Sequence, residues 1–324
     1  MADSPRMHIH QRIVRRLRPP AGGLRPEHRT PAKRERHLAP VRSFAQWPTF
    51  SSLFAFLVVA VLAVSCALAG ALREAVELLP FFAVFLALLA ISYGLRRRVP
   101  RVADFIRHFQ HLVLYGAFYA HIHAMMTAAH PYAVDASLAR IDAALFGVNP
   151  VAWLGQHAHP YLTDALSLAY VSYYFGMPIL LVLLWRRHPE TDFRTVLSAM
   201  TIGWYGALVT YYLFPALGPQ RFTPEQLPAL AGWLPTTEWI RAFLAANLTP
   251  AVRDCVPSMH TGVTLLTLAF AYRFERVYFW ILLPFGVGVI LATVYLQQHY
   301  AIDVFLGFCA FLFIFAAVRV FRPQ

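Results

Sequence analysis

The sequence predicts an all-α, polytopic bundle of about eight membrane-spanning helices, on three observations. Of its 324 residues, 58% are hydrophobic and only 14% charged, with a mean hydropathy of +0.51. A soluble domain is about 45–50% apolar and about 25% charged. Apolar runs long enough to cross a bilayer, about 20 residues each, recur from Phe50 to the C-terminus. The arginines between those runs fall on alternate connections, the pattern left when Lys and Arg are retained on the cytoplasmic side.

Residues 1–49 hold 11 Lys and Arg against 3 Asp and Glu, interleaved with Pro and Gly and without apolar periodicity. Such a segment cannot bury enough surface to fold, so a disordered, basic cytoplasmic tail touching anionic lipid is expected. The tail carries most of the net charge of +12. No soluble domain remains to form a basic groove, so nucleic acid is not an expected partner. The tail is too long and too Arg-rich for a secretory signal peptide, and the apolar run after it lacks a clear small-residue cleavage site. That run is therefore expected to stay as a span.

Spans are expected at about 50–72, 78–95, 108–129, 163–185, 196–214, 258–272, 278–296 and 300–318. Arg96, Arg97, Arg98, Arg101 and Arg107 follow the second, Arg186, Arg187 and Arg194 the fourth, Arg273 and Arg276 the sixth, and Arg319 and Arg322 the eighth. With the tail, this puts 23 of the 28 basic residues on one side, which predicts an integral protein of the cell (plasma) membrane with both termini cytoplasmic. The chain divides into the tail (1–49), two N-terminal spans (50–107) and a membrane domain (108–320) that carries the chemistry.

Two long connections, 130–162 and 215–257, fall on the outer side, and long loops in compact folds tend to be functional. In the first, Val134, Leu138, Ile141, Ala144 and Leu145 recur at helical spacing with Asp135, Arg140 and Asp142 opposite, which predicts a helix lying in the membrane interface. The second, rich in Pro and Trp, opens at Phe214 and ends at Pro257-Ser258-Met259-His260.

Ionisable residues at the ends of apolar helices are functional candidates, and two clusters stand out. Pro257-Ser258-Met259-His260 opens the sixth span from the outer face. Pro suits a first helical turn, Ser can cap it, and the free N–H groups there favour an anion. His299-Tyr300-Ala301-Ile302-Asp303 opens the eighth span with His and Asp one turn apart on one helix side. An Asp beside a His fixes its tautomer, which is how an imidazole becomes a nucleophile or base. With Arg221 on the same face, the set offers a nucleophilic His299, a second His260 to protonate a leaving oxygen, Asp303 to orient, and Arg221 and Ser258 to hold phosphoryl oxygens. That is a phosphoryl-transfer site needing neither metal nor other cofactor.

Other polar residues take plainer readings. Cys66, Cys255 and Cys309 are too far apart for a disulfide framework or a Cys-rich metal site. His108, His111, His121, His123 and His130 crowd the third span but occupy different ends and faces, so packing is expected of them rather than a metal centre. Tyr170, Tyr173 and Tyr174 are read as core, and His157 and His159 as residues of the outer loop. A transporter would call for paired inverted repeats or Gly/Pro-broken spans, and neither is visible.

The motifs resemble a known family. Pro257-Ser258-Met259-His260 is similar to the PSGH motif, and His299 with Asp303 to the HxxxD end of the third motif, of the type-2 phosphatidic acid phosphatase superfamily, which includes vanadium haloperoxidases. The HYxxD form, the Pro-Ser-large-His variant and the upstream Ile141–Gly147 segment look most like the branch containing fungal inositol phosphorylceramide synthase. The resemblance covers about 135–310. It implies a six-helix core within the bundle, His299 as nucleophile, Asp303 as its orienter, His260 as acid and base, and Ser258 and Arg221 on phosphate. It also implies an inositolphosphotransferase or lipid phosphate phosphatase acting on a phospholipid or polyprenyl phosphate, with a lipid alcohol as acceptor in the former case. The family's first-motif Lys would fall on Phe214 and its third-motif Arg on Thr293. Arg253, or Arg241, is the residue expected to compensate.

Overall fold

The computed structural model describes residues 49–247 and 253–320. The basic tail, apart from Thr49, lies outside them. Among the described residues the protein is helical, with one parallel bridge pairing Ala216 with Asp254. The helices are α1 (Phe50–Leu68), α2 (Leu72–Val76), α3 (Leu79–Leu95), α4 (Pro100–Ala129), α5 (Asp135–Phe146), α6 (Pro150–Gln156), α7 (Pro160–Arg187), α8 (Glu190–Leu213), α9 (Pro219–Phe222), α10 (Pro235–Asn247), α11 (Met259–Phe274), α12 (Arg276–Tyr295) and α13 (Ala301–Val320).

Seven stretches are long and apolar enough to cross a bilayer: α1, Leu72–Leu95, α4, α7, α8, α12 and α13. The eighth expected span, α11, has only 16 residues, about 24 Å at about 1.5 Å per residue against a hydrocarbon core of about 30 Å. It still runs the bundle from end to end. Ser258 caps its start, and just past its finish Glu275 meets Arg187 at 3.4 Å and His188 at 3.1 Å. A short helix suffices because α11 packs against α7, α8, α12 and α13, so neighbouring helices and not lipid cover most of it.

The same contacts sort the helix ends. At the arginine end, Ser52 donates to the Arg107 carbonyl at 3.3 Å, and buried Arg107 bridges Asp104 at 2.7 Å and Glu190 at 3.4 Å. Phe315 of α13 packs on Phe270 of α11 with ring centroids 5.7 Å apart, so the last helix leaves toward the end where the first begins. The other end carries the two long connections and the motifs. Between them lies a continuous apolar core including Phe85, Leu180, Phe193, Tyr205 and Leu266.

Three buried aspartates tie the outer connections down. Asp164 of α7 accepts from the N–H groups of Trp233 and Leu234 ahead of α10. Asp135 accepts from Leu217 and Gly218 N–H at 2.9 and 2.8 Å and from the Tyr300 hydroxyl at 3.1 Å. Asp142 accepts from Ala301 and Ile302 N–H, at 2.7 and 2.8 Å, at the start of α13. The last two fix which face of the 135–146 helix meets the protein. Asp135 and Asp142 are buried, and Ile141, Leu145 and Phe146 are exposed. Unpaired N–H groups at the α13 N-terminus and in the 216–218 loop draw the carboxylates inward, which leaves the apolar side chains outermost.

Candidate active site

Three segments converge at the motif end: 216–221, 254–260 and 297–303. Ser258 caps α11, its Oγ accepting the Thr261 N–H at 3.4 Å, and its own N–H donates to the Asp303 carbonyl at 3.1 Å. This locks the starts of α11 and α13 together. Gly307 permits the approach, since a Cβ there would stand 2.3 Å from the Ser258 carbonyl oxygen. On the other flank, Gly218 has φ +85° and faces the Gln298 carbonyl, 2.6 Å from where a Cβ would be. The N–H groups of Gln298 and His299 both donate to the Thr293 carbonyl at 3.0 Å, so the turn after α12 presents His299 inward.

His299 is buried, with Nε2 3.1 Å from Nδ1 of His260. Its Nδ1 lies 2.8 Å from the Cys255 carbonyl and 3.7 Å from Asp303 Oδ2. A carbonyl only accepts, so the proton sits on Nδ1, Nε2 is unprotonated, and His260 donates to its lone pair from Nδ1. The direct His299–Asp303 hydrogen bond expected from the sequence is thus replaced by a relay. The Cys255 thiol donates to Asp303 Oδ2 at 2.8 Å, the Tyr300 N–H donates to the same oxygen at 3.0 Å, and the Cys255 carbonyl holds the imidazole. Burial, and then the charge of Asp303, push the Cys255 thiol well above its usual range, so it remains a donor. Its Sγ, His299 Nδ1 and Asp303 Oδ2 lie within 4.8 Å of one another. A metal could use such a donor set only by displacing both the thiol and the Nδ1 protons.

His260 is sandwiched by tyrosines that the sequence assigned to packing, with ring centroids 4.7 Å away for Tyr170 and 4.4 Å for Tyr173. Arg221, half-buried on α9, donates weakly to the Leu217 carbonyl at 3.5 Å, and its charge acts on Asp254. Burial alone would lift the Asp254 carboxyl. His123, the Tyr119 hydroxyl, His299 and Arg221 together hold it below the ordinary carboxylate range. Arg253 is turned elsewhere, its guanidinium donating to the carbonyls of His130 and Tyr132 at 2.9 and 3.0 Å. Arg241 pairs with Glu238 at 2.9 Å. Phe214 is exposed at the end of α8, and Thr293 is buried with its hydroxyl on the Ile290 carbonyl.

Five residues singled out from the sequence, His299, His260, Asp303, Ser258 and Arg221, lie on the converging segments. Asp254, Cys255, Tyr119, His123, Tyr170 and Tyr173 escaped it, because each contact joins segments distant in sequence. The remaining α4 histidines disperse: His108 bonds the Asp104 carbonyl, His111 the Thr201 hydroxyl and His121 the Glu74 carbonyl. His157 bonds the Trp153 carbonyl, and the His159 N–H bonds the Tyr295 hydroxyl.

A family model described as the PAP2 superfamily matches residues 136–317, over half of the chain and all of the converging segments. No curated protein and no solved structure matches at a significant level.

Proposed function

Because this chain belongs to the PAP2 superfamily, we propose that it is a metal-independent lipid phosphotransferase working through a phosphohistidine on the extracytoplasmic face of the cell membrane. The observation that carries this reading is the line of contacts from Asp303 through Cys255 to His299 and His260. It leaves a lone pair on the His299 Nε2 and a proton beside it on the His260 Nδ1. In the first half-reaction the lone pair attacks phosphorus, the bond to the leaving oxygen breaks, and His260, entering the step as the doubly protonated imidazolium, protonates that oxygen and becomes neutral. In the second, an acceptor oxygen attacks, the P–N bond breaks, and the acceptor's proton returns to His260. At 3.1 Å the two imidazoles are too close for a phosphorus in line between them. Substrate entry must part them.

The charges favour one class of ester. Among the described residues the Arg221 guanidinium acts on the carboxylate of Asp254, and Phe214 and Thr293 add no cation. The Ser258 hydroxyl and the N–H groups opening α11 complete the oxyanion contacts. A phosphomonoester carries close to two negative charges near neutral pH, whereas a diester carries one, which this set matches better. The donor is then a glycerophospholipid that leaves its phospho-head-group on His299, inositol phosphate being one instance, and the acceptor is a lipid alcohol. Residues 108–320 form the catalytic domain, and both termini are cytoplasmic.

The test is run on purified full-length protein. One assay measures inorganic phosphate released from phosphatidic acid. The other measures new phosphodiester formed from an inositol phospholipid with a long-chain alcohol or ceramide. Diester formation supports the reading. Rapid phosphate release without diester makes the protein a lipid phosphate phosphatase, acting on phosphatidic acid or a polyprenyl (pyro)phosphate, and no turnover in either assay defeats the enzymatic reading.

A further inference from the structure

A carboxylate and an imidazole beside the histidine pair remain unused by this chemistry. Asp254 lies on the segment leading into α11, and its Oδ2 accepts from the Tyr119 hydroxyl of α4. Among the described residues its Oδ1 has no hydrogen-bond partner. One turn along α4, His123 is 2% exposed, with its ring 4.8 Å from that of Tyr119. Its Nδ1 accepts the Arg253 N–H at 3.4 Å, which puts the ring proton on Nε2. That buried N–H also has no partner among the described residues.

An open acceptor and an open donor therefore lie on neighbouring residues, both reached by Tyr119 and with His123 acting on the Asp254 carboxyl, at the edge of a phosphoryl site. Leaving a buried polar group such as the His123 N–H unmatched is costly, so the chemistry of whatever fills the gap can be read from it together with the half-buried Asp254 carboxylate. A phosphate oxygen does not suit, because the carboxylate repels it. An acyl chain does not suit either, because it satisfies neither group. A hydroxyl suits both, donating to Asp254 Oδ1 while accepting from the His123 N–H. We propose that Asp254, Tyr119 and His123 form a subsite that binds a hydroxyl of the substrate, beside the phosphoryl group taken by His299. This rests on the phosphotransfer reading and deepens it. The hydroxyl belongs either to the donor's head group or to the acceptor, as a second hydroxyl next to the reacting one.

The experiment uses full-length protein in lipid nanodiscs. One arm compares phosphatidylglycerol with phosphatidylethanol as donor. The other compares 1,2-dodecanediol with 1-dodecanol as acceptor. The hydroxylated member is expected to win in one arm by at least about tenfold in kcat/KM, since sites built to bond a hydroxyl discriminate strongly against analogues lacking it, and the winning arm identifies the source. Asp254→Asn should bring that ratio close to unity. His123→Phe and Tyr119→Phe, each removing one donor, should do the same and serve if the first variant does not fold. No preference in either arm, or a preference that survives all three substitutions, overturns the subsite. Equilibrium binding of the four lipids to His299→Ala protein separates the two ideas. Asp254-dependent selectivity in binding with no turnover by the wild type would sink the phosphotransfer reading and leave the subsite standing. Turnover without selectivity would do the reverse.

Discussion

At Cys255 a single residue holds both members of the His299–Asp303 pair, the imidazole through its carbonyl at 2.8 Å and the carboxylate through its thiol at 2.8 Å. Cys255→Ser keeps a donor toward Asp303 and should keep most of the activity. Cys255→Val removes that donor, leaves Asp303 Oδ2 with the Tyr300 N–H, and should lower kcat by about tenfold or more, the scale of losing a buried bond to a charged group. A positioning role also requires a displaced acid limb in the pH profile of kcat, and an unmoved profile would show that Cys255 only packs. His299→Ala and His260→Ala should each cost at least about 10²-fold in turnover, as expected for a nucleophile or a general acid. Full activity in His299→Ala protein would sink the mechanism. Chelators should leave turnover intact, and its loss on chelation would assign a metal to the Cys255, His299 and Asp303 donors. The histidines were legible because a titratable side chain at the mouth of an apolar helix is conspicuous in one dimension. Cys255 was not, because in a sequence an isolated cysteine looks the same whether it packs or positions.

At the scale of the helix, α5 works as a clamp, its two carboxylates turned inward and Ile141, Leu145 and Phe146 turned out. Asp142→Ala strips the acceptor from two N–H groups at the start of α13. It should cost about 2–3 kcal/mol, a lost cap plus unpaired donors, seen as a lower melting temperature together with reduced kcat, since His299 sits on the adjoining turn. Burial raises the carboxyls of Asp135 and Asp142, opposed in part by their N–H donors. A raised acid pKa means that the folded state binds the proton more tightly. The contribution of these two groups to stability should therefore be fullest below about pH 4, the unfolded value, and decline as pH rises through the raised folded values, opposite in sign to that of Asp254, whose carboxyl is held low. Asp142→Asn should flatten that decline in melts taken across pH, and an unchanged slope would show that Asp142 does not cause it.

For the whole molecule, the prediction concerns topology. Eight traverses, α11 included, return the chain to its starting end. A reporter fused after Gln324 should read cytoplasm, and one placed within 223–250 should read the outside, whereas the opposite pattern would put the motifs on the cytoplasmic face. Composition, apolar run length and the spacing of arginines by themselves determined that this is a helical membrane protein and where most of its spans lie, because the bilayer imposes on each segment a requirement that the segment meets alone. The motif spacings likewise singled out the helix ends that the fold brings together. Tertiary structure decided the rest. It let a 16-residue helix serve as a traverse by surrounding it with other helices, turned the α5 carboxylates inward, and set Cys255 between His299 and Asp303. These depend on which unpaired N–H groups and carboxylates from distant segments meet, and neither local periodicity nor local charge encodes a meeting between segments some 160 residues apart.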